Sequence, residues 1–225
     1  MNAERGTQSA ESEPDSAKYL ICFALEEEAH AIPRKVWGER GKVLVTGIGR
    51  KNAEKSVAEF LNRHAPRRVL TCGFAGGIDP ELSIGEVIFE TSDSRLREKL
   101  TKAGAKPVRF VCSARVAITS TEKAALRRTF GADAVEMESE AIQAICGERG
   151  IPCATVRVIS DTADEDLPLD FNLLSNPDLS LNYRKLAWAV AKSPGKIPAL
   201  LRLQRNCGIA ARKLAEVLAK VIAPK

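Results

Sequence analysis

At 225 residues, 44% of them hydrophobic, the chain is long enough to bury a sizeable core as one domain. Its net charge of +5 is uneven: residues 184–225 hold ten Lys or Arg against Glu216 alone, a balance of +9, which leaves −4 for the preceding 183 residues. Six cysteines are scattered without a CxxC pair, several inside apolar runs, which argues for reduced buried thiols and against a disulfide framework or a zinc site; no metal or cofactor is expected.

Residues 1–17 are polar, rich in Ser, Glu, Asn and Pro, and read as a mobile tail rather than a secretion signal or membrane span, so the cytoplasm is the expected compartment. Lys18 to Ala24 is an apolar run of strand length, followed by Leu25-Glu-Glu-Glu28, whose plain reading is an acidic first helical turn. Lys42 to Thr46 is the next strand. The loop Gly47-Ile-Gly49 then opens an amphipathic helix to about Arg63, where free N–H groups and Arg50 are able to meet an anion.

Arg67 to Gly73 repeats the strand pattern and runs into the glycine-dense Cys72-Gly-Phe-Ala-Gly-Gly77, suited to close approach of backbone and ligand. Residues 78–85 read as a turn-rich bridge, Glu86 to Glu90 as a strand and Ser94 to Ala103 as a helix. Val108 to Ile118 reads as one long strand or two short ones, and Thr121 to Phe130 as a helix capped from Thr119 to Thr121. Alternating strands and helices predict an α/β sandwich with a largely parallel sheet.

The chemistry concentrates in Ala134-Val-Glu-Met-Glu-Ser-Glu-Ala141, where Glu136, Glu138 and Glu140 surround Met137 as a strand gives way to a helix. An extended backbone aims these three to one side, whereas a helix spreads them. The β-branched strand Cys153 to Ser160 then runs into Asp161, and a carboxylate at the carboxyl end of a buried strand is where open α/β sheets handle ligands. Asp161 to Asn176 is an acidic, Pro-containing loop long enough to be functional. The plain alternative for Asp161 is a helix cap.

Three segments, Cys72-Gly-Phe-Ala-Gly-Gly-Ile-Asp-Pro-Glu-Leu-Ser-Ile-Gly-Glu-Val87, Val135-Glu-Met-Glu-Ser-Glu-Ala-Ile142 and Arg157-Val-Ile-Ser-Asp161, resemble in order and spacing the signatures of the purine nucleoside phosphorylase and methylthioadenosine/S-adenosylhomocysteine nucleosidase superfamily. The resemblance runs from about Lys18 to Asp166. It implies a three-layer α/β/α sandwich around a mixed, partly closed central sheet, spanning residues 18–180 with a basic helical extension over 181–225. It also implies enzymes that break the N-glycosidic bond of a ribonucleoside. By this resemblance Asp161 is the general acid to the departing purine, Glu138 holds ribose hydroxyls with Met137 under the sugar, and Glu28 orients the attacking water. Ala75 and Gly76 lie in the loop near the sugar. Ala117 and Ile118 fall where the nucleosidases place a stacking aromatic and a backbone contact to the base, so base packing differs here. Family members are usually homo-oligomers.

The chemistry fits those roles, because ribosyl cleavage develops positive charge on the sugar and negative charge on the base. Donation near neutral pH requires a raised Asp161, and burial or the adjacent Asp164, Glu165 and Asp166 are the expected causes. The nucleophile stays open between water, which the acidic run at Glu26 to Glu28 favours by repelling phosphate, and phosphate, which Arg50 and Gly47-Ile-Gly49 keep in play.

The link from Thr91 to Ser94 is shorter than in the nucleosidases, which implies a more open 5′ pocket. Arg184 to Arg202 resembles the ending of the hopanoid-associated phosphorylase-like branch, whose substrate is adenosylhopane. Leu181 to Lys192 and Lys196 to Ile222 read as helices. In the second, Leu200, Leu214, Val217, Leu218, Val221 and Ile222 form an apolar stripe ringed by basic residues, fit for an anionic membrane surface or for packing on the body. Two rivals stand beside the enzyme: a catalytically retired nucleoside-binding module, and a nucleic-acid binder, against which the lack of basic–aromatic interleaving counts.

Overall fold

The computed structural model describes residues 17–30, 32–33, 37–176 and 182–223; the expected tail, save Ala17, and the expected helix start at Leu181 lie outside them. The strands are β1 (Tyr19–Phe23), β2 (Gly41–Val45), β3 (Val69–Gly77), β4 (Val87–Glu90), β5 (Lys106–Pro107), β6 (Phe110–Cys112), β7 (Ala134–Glu136) and β8 (Cys153–Asp161). The helices are α1 (Glu26–His30), α2 (Arg50–Leu61), α3 (Ser94–Ala103), α4 (Ser120–Phe130), α5 (Ser139–Glu148), α6 (Tyr183–Lys192) and α7 (Ile197–Ile222).

All eight strands belong to one mixed sheet in the order β2-β1-β3-β8-β4-β5, with β7 pairing the far end of β3 and β6 pairing β7. β1 runs parallel to β2 and β3, and β3 parallel to β8, whereas β4 opposes β8 and β7 opposes β3. The ladder does not close into a barrel. Instead residues 106–112 cross from β4 to β7 along the chain itself: Val108 N–H donates to Phe89 O at 2.9 Å, and Asp133 N–H to Arg109 O at 2.8 Å. The segment expected as one long strand or two short ones is therefore two short ones, and residues 113–118 carry no strand.

Alternation along β1 explains the three layers. Tyr19, Ile21 and Phe23 face one side with Leu96, Leu100, Leu214 and Leu218 from α3 and α7, while Leu20 and Cys22 face the other with Ala53, Val57, Ile142 and Cys146 from α2 and α5. β3 extends four residues beyond Gly73, so Phe74 to Gly77 is strand rather than loop. Its partners β1, β7 and β8 supply a ladder strong enough to hold glycines extended, with a bulge between Ala75 and Gly76 where β8 shifts register to Asp161.

α7 divides in two. Leu214, Val217, Leu218, Val221 and Ile222 are buried in the main core, so most of the apolar stripe read from the sequence packs on the body. The basic Arg212, Lys213 and Lys220 point outward. The first turns of α7 bury no side chain before Asn206, and α6 buries none at all. Leu218→Ala is therefore expected to cost about 2–5 kcal/mol in urea unfolding, whereas Leu201→Ala, at a residue 59% exposed, changes stability by less than about 0.5 kcal/mol.

Candidate active site

The site assembles where the carboxyl ends of β1, β3, β7 and β8 meet. Arg157, in the middle of β8, points into the sheet's interior and is 1% exposed. One of its terminal nitrogens donates to Glu136 at 2.6 Å, to Glu138 at 3.2 Å and to Thr71 Oγ1 at 3.3 Å. Its other terminal nitrogen reaches the space above Gly73, where a β-carbon would lie 2.7 Å from it and 2.6 Å from Glu28 Oε1. Gly73 also has φ +150°, so the guanidinium and Glu28 approach each other across a residue that has to be glycine.

Glu28 ends the first turn of α1, the acidic turn read from the sequence, yet it is buried rather than solvated. Its Oε2 accepts N–H bonds from Ala24 at 3.2 Å and Leu25 at 3.1 Å, and its Oε1 accepts from Phe74 at 2.9 Å. These bonds place Glu28 directly over β3. Burial pushes its carboxyl above the ordinary range, against the pull of Arg157 and the three N–H donors.

The three alternating glutamates split at the strand-to-helix junction. Glu136 closes β7 and accepts from the Ser139 N–H at 2.8 Å and the Ser139 hydroxyl at 2.6 Å. Burial alone would raise it, but Arg157 and Ser139 outweigh burial and hold it below the usual carboxylate range. Glu138, at the N-cap of α5, is buried and accepts from the Gly49 N–H at 2.9 Å. Burial, opposed by Arg157 and aided by repulsion from Glu136, pushes it up to about 7. Glu140, in the first turn of α5, is exposed and pairs with Arg50 at 3.3 Å. One guanidinium thus faces three carboxylates, with Glu136 held below the usual range and Glu28 and Glu138 above it.

A cleft of about 440 Å³ opens beside Glu138, lined by Ile48, Gly49, Arg50, Cys112, Met137 and Glu140. Met137, expected under the sugar, lines this cleft. Arg50 stands there too, but with its charge already met by Glu140 rather than free for an anion.

Asp161 ends β8 across β3 from this group: Gly76 pairs with Val135 of β7 on one side and Asp161 on the other. Two strand spacings, about 10 Å, separate the acidic junction from Asp161. A β-carbon on Gly76 would lie 3.3 Å from Asp161 Oδ2, so the glycine gives the buried carboxylate room, and Ala75 beside it in β3 is buried as well. Cys207 on α7 joins the two halves: burial, with Asp161 and then Glu28 beside it, pushes its thiol up to about 11. Asp161 itself lies in a shallow depression under Leu203 and Asn206 of α7 and Leu167 of the following loop.

Two arrangements stand out here. The neighbouring carboxylates turn away from Asp161: Asp164 accepts from the Thr162 hydroxyl, Glu165 from the Thr162 N–H and Asp166 from the Ser120 N–H. The group that meets Asp161 is the ammonium of Lys123, at 2.6 Å. Secondly, the backbone of Ile118 is already occupied. Its N–H donates to Glu122 at 2.7 Å and its carbonyl accepts from Leu167 at 2.8 Å, because Glu122 belongs to the capping box of α4 and the acidic loop is laced onto residues 116–123.

Sequence reading missed Arg157, Lys123 and the Gly49 N–H as parts of this arrangement. A signal existed for Arg157: a cation inside a β-branched buried strand requires a paired anion, and Glu136, left without a role, is that partner.

Residues 90–192 match the family model described as the phosphorylase superfamily. Over 164 residues the chain is 29% identical to a 5′-methylthioadenosine/S-adenosylhomocysteine nucleosidase of Glaesserella parasuis, covering 58% of this chain and 71% of that protein. An aminodeoxyfutalosine nucleosidase of Campylobacter jejuni is 25% identical over 172 residues, 60% of this chain and 75% of its own. In fold, the chain is similar to the 5′-methylthioadenosine/S-adenosylhomocysteine nucleosidase from Neisseria meningitidis crystallised with methylthio-immucillin-A. The TM-score is 0.67 at 21% identity, over 92% of this chain and 98% of that one.

The buried carboxyls leave a mark on stability. Between about pH 4.5 and about 7 the folded protein keeps a proton on Glu138 that the unfolded chain has lost, so this stabilisation fades as pH rises through that window. Relative to wild type, Glu138→Gln is expected to gain about 2–3 kcal/mol between pH 5 and pH 8 in urea unfolding. A stability difference that stays constant across that range would refute the assignment.

Proposed function

We propose that this chain, whose residues 90–192 match the phosphorylase superfamily model and which is similar to nucleosidases, cleaves the N-glycosidic bond of a purine ribonucleoside with water as the nucleophile. The observation that carries this reading is the convergence of Glu28, Glu138 and Arg157 over the end of β3, with Asp161 across the same strand. Glu138 accepts ribose hydroxyls above Met137. Glu28 takes the proton of the attacking water, a task suited to a buried carboxylate whose affinity for protons burial has raised. Asp161 donates to the purine as the bond breaks. Positive charge growing on the sugar then faces the glutamates, and negative charge growing on the base meets the donor, so both ends gain more in the transition state than in the ground state.

Water is favoured over phosphate by how the site spends its N–H groups. The turn after β1 offers the Ala24 and Leu25 N–H groups, and Glu28 already accepts both; an incoming phosphate would find a carboxylate in their place. Arg50 is likewise engaged by Glu140.

The substrate we favour is an adenosine with a large 5′ substituent, adenosylhopane being the case that the C-terminal likeness suggests, handled by a homo-oligomer. Membrane contact would fall to α6 and the start of α7 rather than to the apolar stripe beyond residue 210. Tyr183, Trp188 and Leu201 are 65%, 62% and 59% exposed among Arg184, Lys185, Lys192, Lys196, Arg202 and Arg205, with no acid between residues 182 and 215. Among the described residues no helix is long and apolar enough to cross a membrane.

Incubation with adenosine, methylthioadenosine and adenosylhopane, with and without phosphate, is expected to release adenine and free sugar at a rate that phosphate does not change. Asp161→Asn lowers kcat/KM by about 10²- to 10⁴-fold. A sugar 1-phosphate product in mass spectrometry would instead establish phosphorolysis. Vesicles rich in phosphatidylserine are expected to float the wild type and to lose Trp188→Ala together with Arg184→Ala; equal flotation would remove the membrane partner.

A further inference from the structure

Lys123 is fully buried on α4, and the chemistry above leaves it without a task. A lysine on a helix of this kind ordinarily carries its ammonium to water. Here the ammonium lies 2.6 Å from Asp161 Oδ2 and donates to the carbonyls of Thr162 at 2.6 Å and Glu165 at 2.8 Å. Three acceptors use all three of its protons, so the group is held as a cation with one direction left to act, toward Asp161.

The surroundings of Asp161 single out this contact. From β8, the Ser160 hydroxyl donates to Oδ1 at 2.7 Å. From the loop come Glu165 and Asp166, whose carboxylates bond the Thr162 and Ser120 N–H groups. From α7, Arg202 faces Glu165 at 3.9 Å, and Cys207 brings a thiol that burial keeps neutral. Lys123 is the cation in direct contact.

We propose that Lys123 is the positioning residue for the base-side acid: it fixes the Asp161 carboxyl and stabilises the carboxylate that remains when the proton passes to the departing purine. This rests on the reading of Asp161 given above. In the step, the O–H bond of Asp161 breaks as an N–H bond forms on the base, and the bonding pair stays on Asp161. Lys123 remains an ammonium throughout, and solvent returns a proton to Asp161 after the products leave. The 2.6 Å contact is a hydrogen bond from the ammonium while Asp161 carries its proton and an ion pair once the proton has passed to the base, so Lys123 favours the later part of the reaction. By gripping Thr162 and Glu165, the same ammonium ties the acidic loop to the acid it borders.

The test compares Lys123→Met, Lys123→Arg, Asp161→Asn and the double variant Lys123→Met/Asp161→Asn. Carboxyl ¹³C NMR on aspartate-labelled protein identifies Asp161 by the resonance missing from Asp161→Asn. In Lys123→Met that resonance is expected to titrate about one pH unit or more above its wild-type position, and in Lys123→Arg to stay near it. Adenine release from methylthioadenosine is expected to fall about 10- to 100-fold in kcat for Lys123→Met, with KM nearly unchanged.

A resonance that does not move, or wild-type turnover in Lys123→Met beside an inactive Asp161→Asn, overturns the assignment of Lys123 and leaves the reading of Asp161 standing. Wild-type turnover in Asp161→Asn overturns the functional reading itself. Should Lys123→Met fail to fold while the double variant folds, the unpaired carboxylate is the cause and the pairing is supported. Should both fail, Lys123 is a strut and the proposal falls.

Discussion

A guanidinium buried among three glutamates fixes where everything else in this site can be. Arg157 has no access to water, and an unpaired charge at that depth is strongly destabilising. The chain answers with carboxylates from three separate elements: Glu28 from the turn after β1, Glu136 from β7 and Glu138 from the start of α5. One cation cannot answer three carboxylates equally, so Glu136 stays below the usual range while burial pushes Glu28 and Glu138 above it. Under the proposed function this carboxylate-lined end of β3 faces the cationic sugar of the transition state and offers phosphate no free cation.

The sheet turns this electrostatic demand into geometry. β3 is the common neighbour of β1, β7 and β8, and its glycines let acids approach from above and from either side. Gly73 admits the meeting of Glu28 with Arg157, and Gly49 turns with φ 86° to deliver its N–H to Glu138 from 89 positions away in sequence. Backbone groups thereby hold two of the buried carboxyls, Glu28 and Glu138, which spares side-chain entropy.

Much of this was legible from the chain because periodicity and caps are local. α3 falls exactly over Ser94–Ala103, with Asp93 capping Leu96 N–H at 2.7 Å, and β1 and β8 lie within two residues of their apolar runs. Glu138, Met137 and Asp161 stand at the strand ends where their positions implied. What escaped was nonlocal. Four residues of β3 look like loop in isolation, because glycine has no strand preference until β8 and β7 impose one from either side. Lys123 sits in a helix with ordinary amphipathic spacing, and only the fold shows that its side of α4 faces Asp161. The occupation of the Ile118 backbone depends on a loop that begins 43 residues downstream, beyond the reach of any local pattern.

α7 performs two duties with one rigid rod. Its last turns are wedged beneath the sheet through Leu214 and Leu218, and its earlier turns roof the depression holding Asp161 through Leu203 and Asn206. Repacking the foundation therefore tilts the ceiling. A substitution at the buried end of α7 acts on the same rod that lines the surroundings of Asp161, so the durability of the fold and the shape of that depression are inherited together.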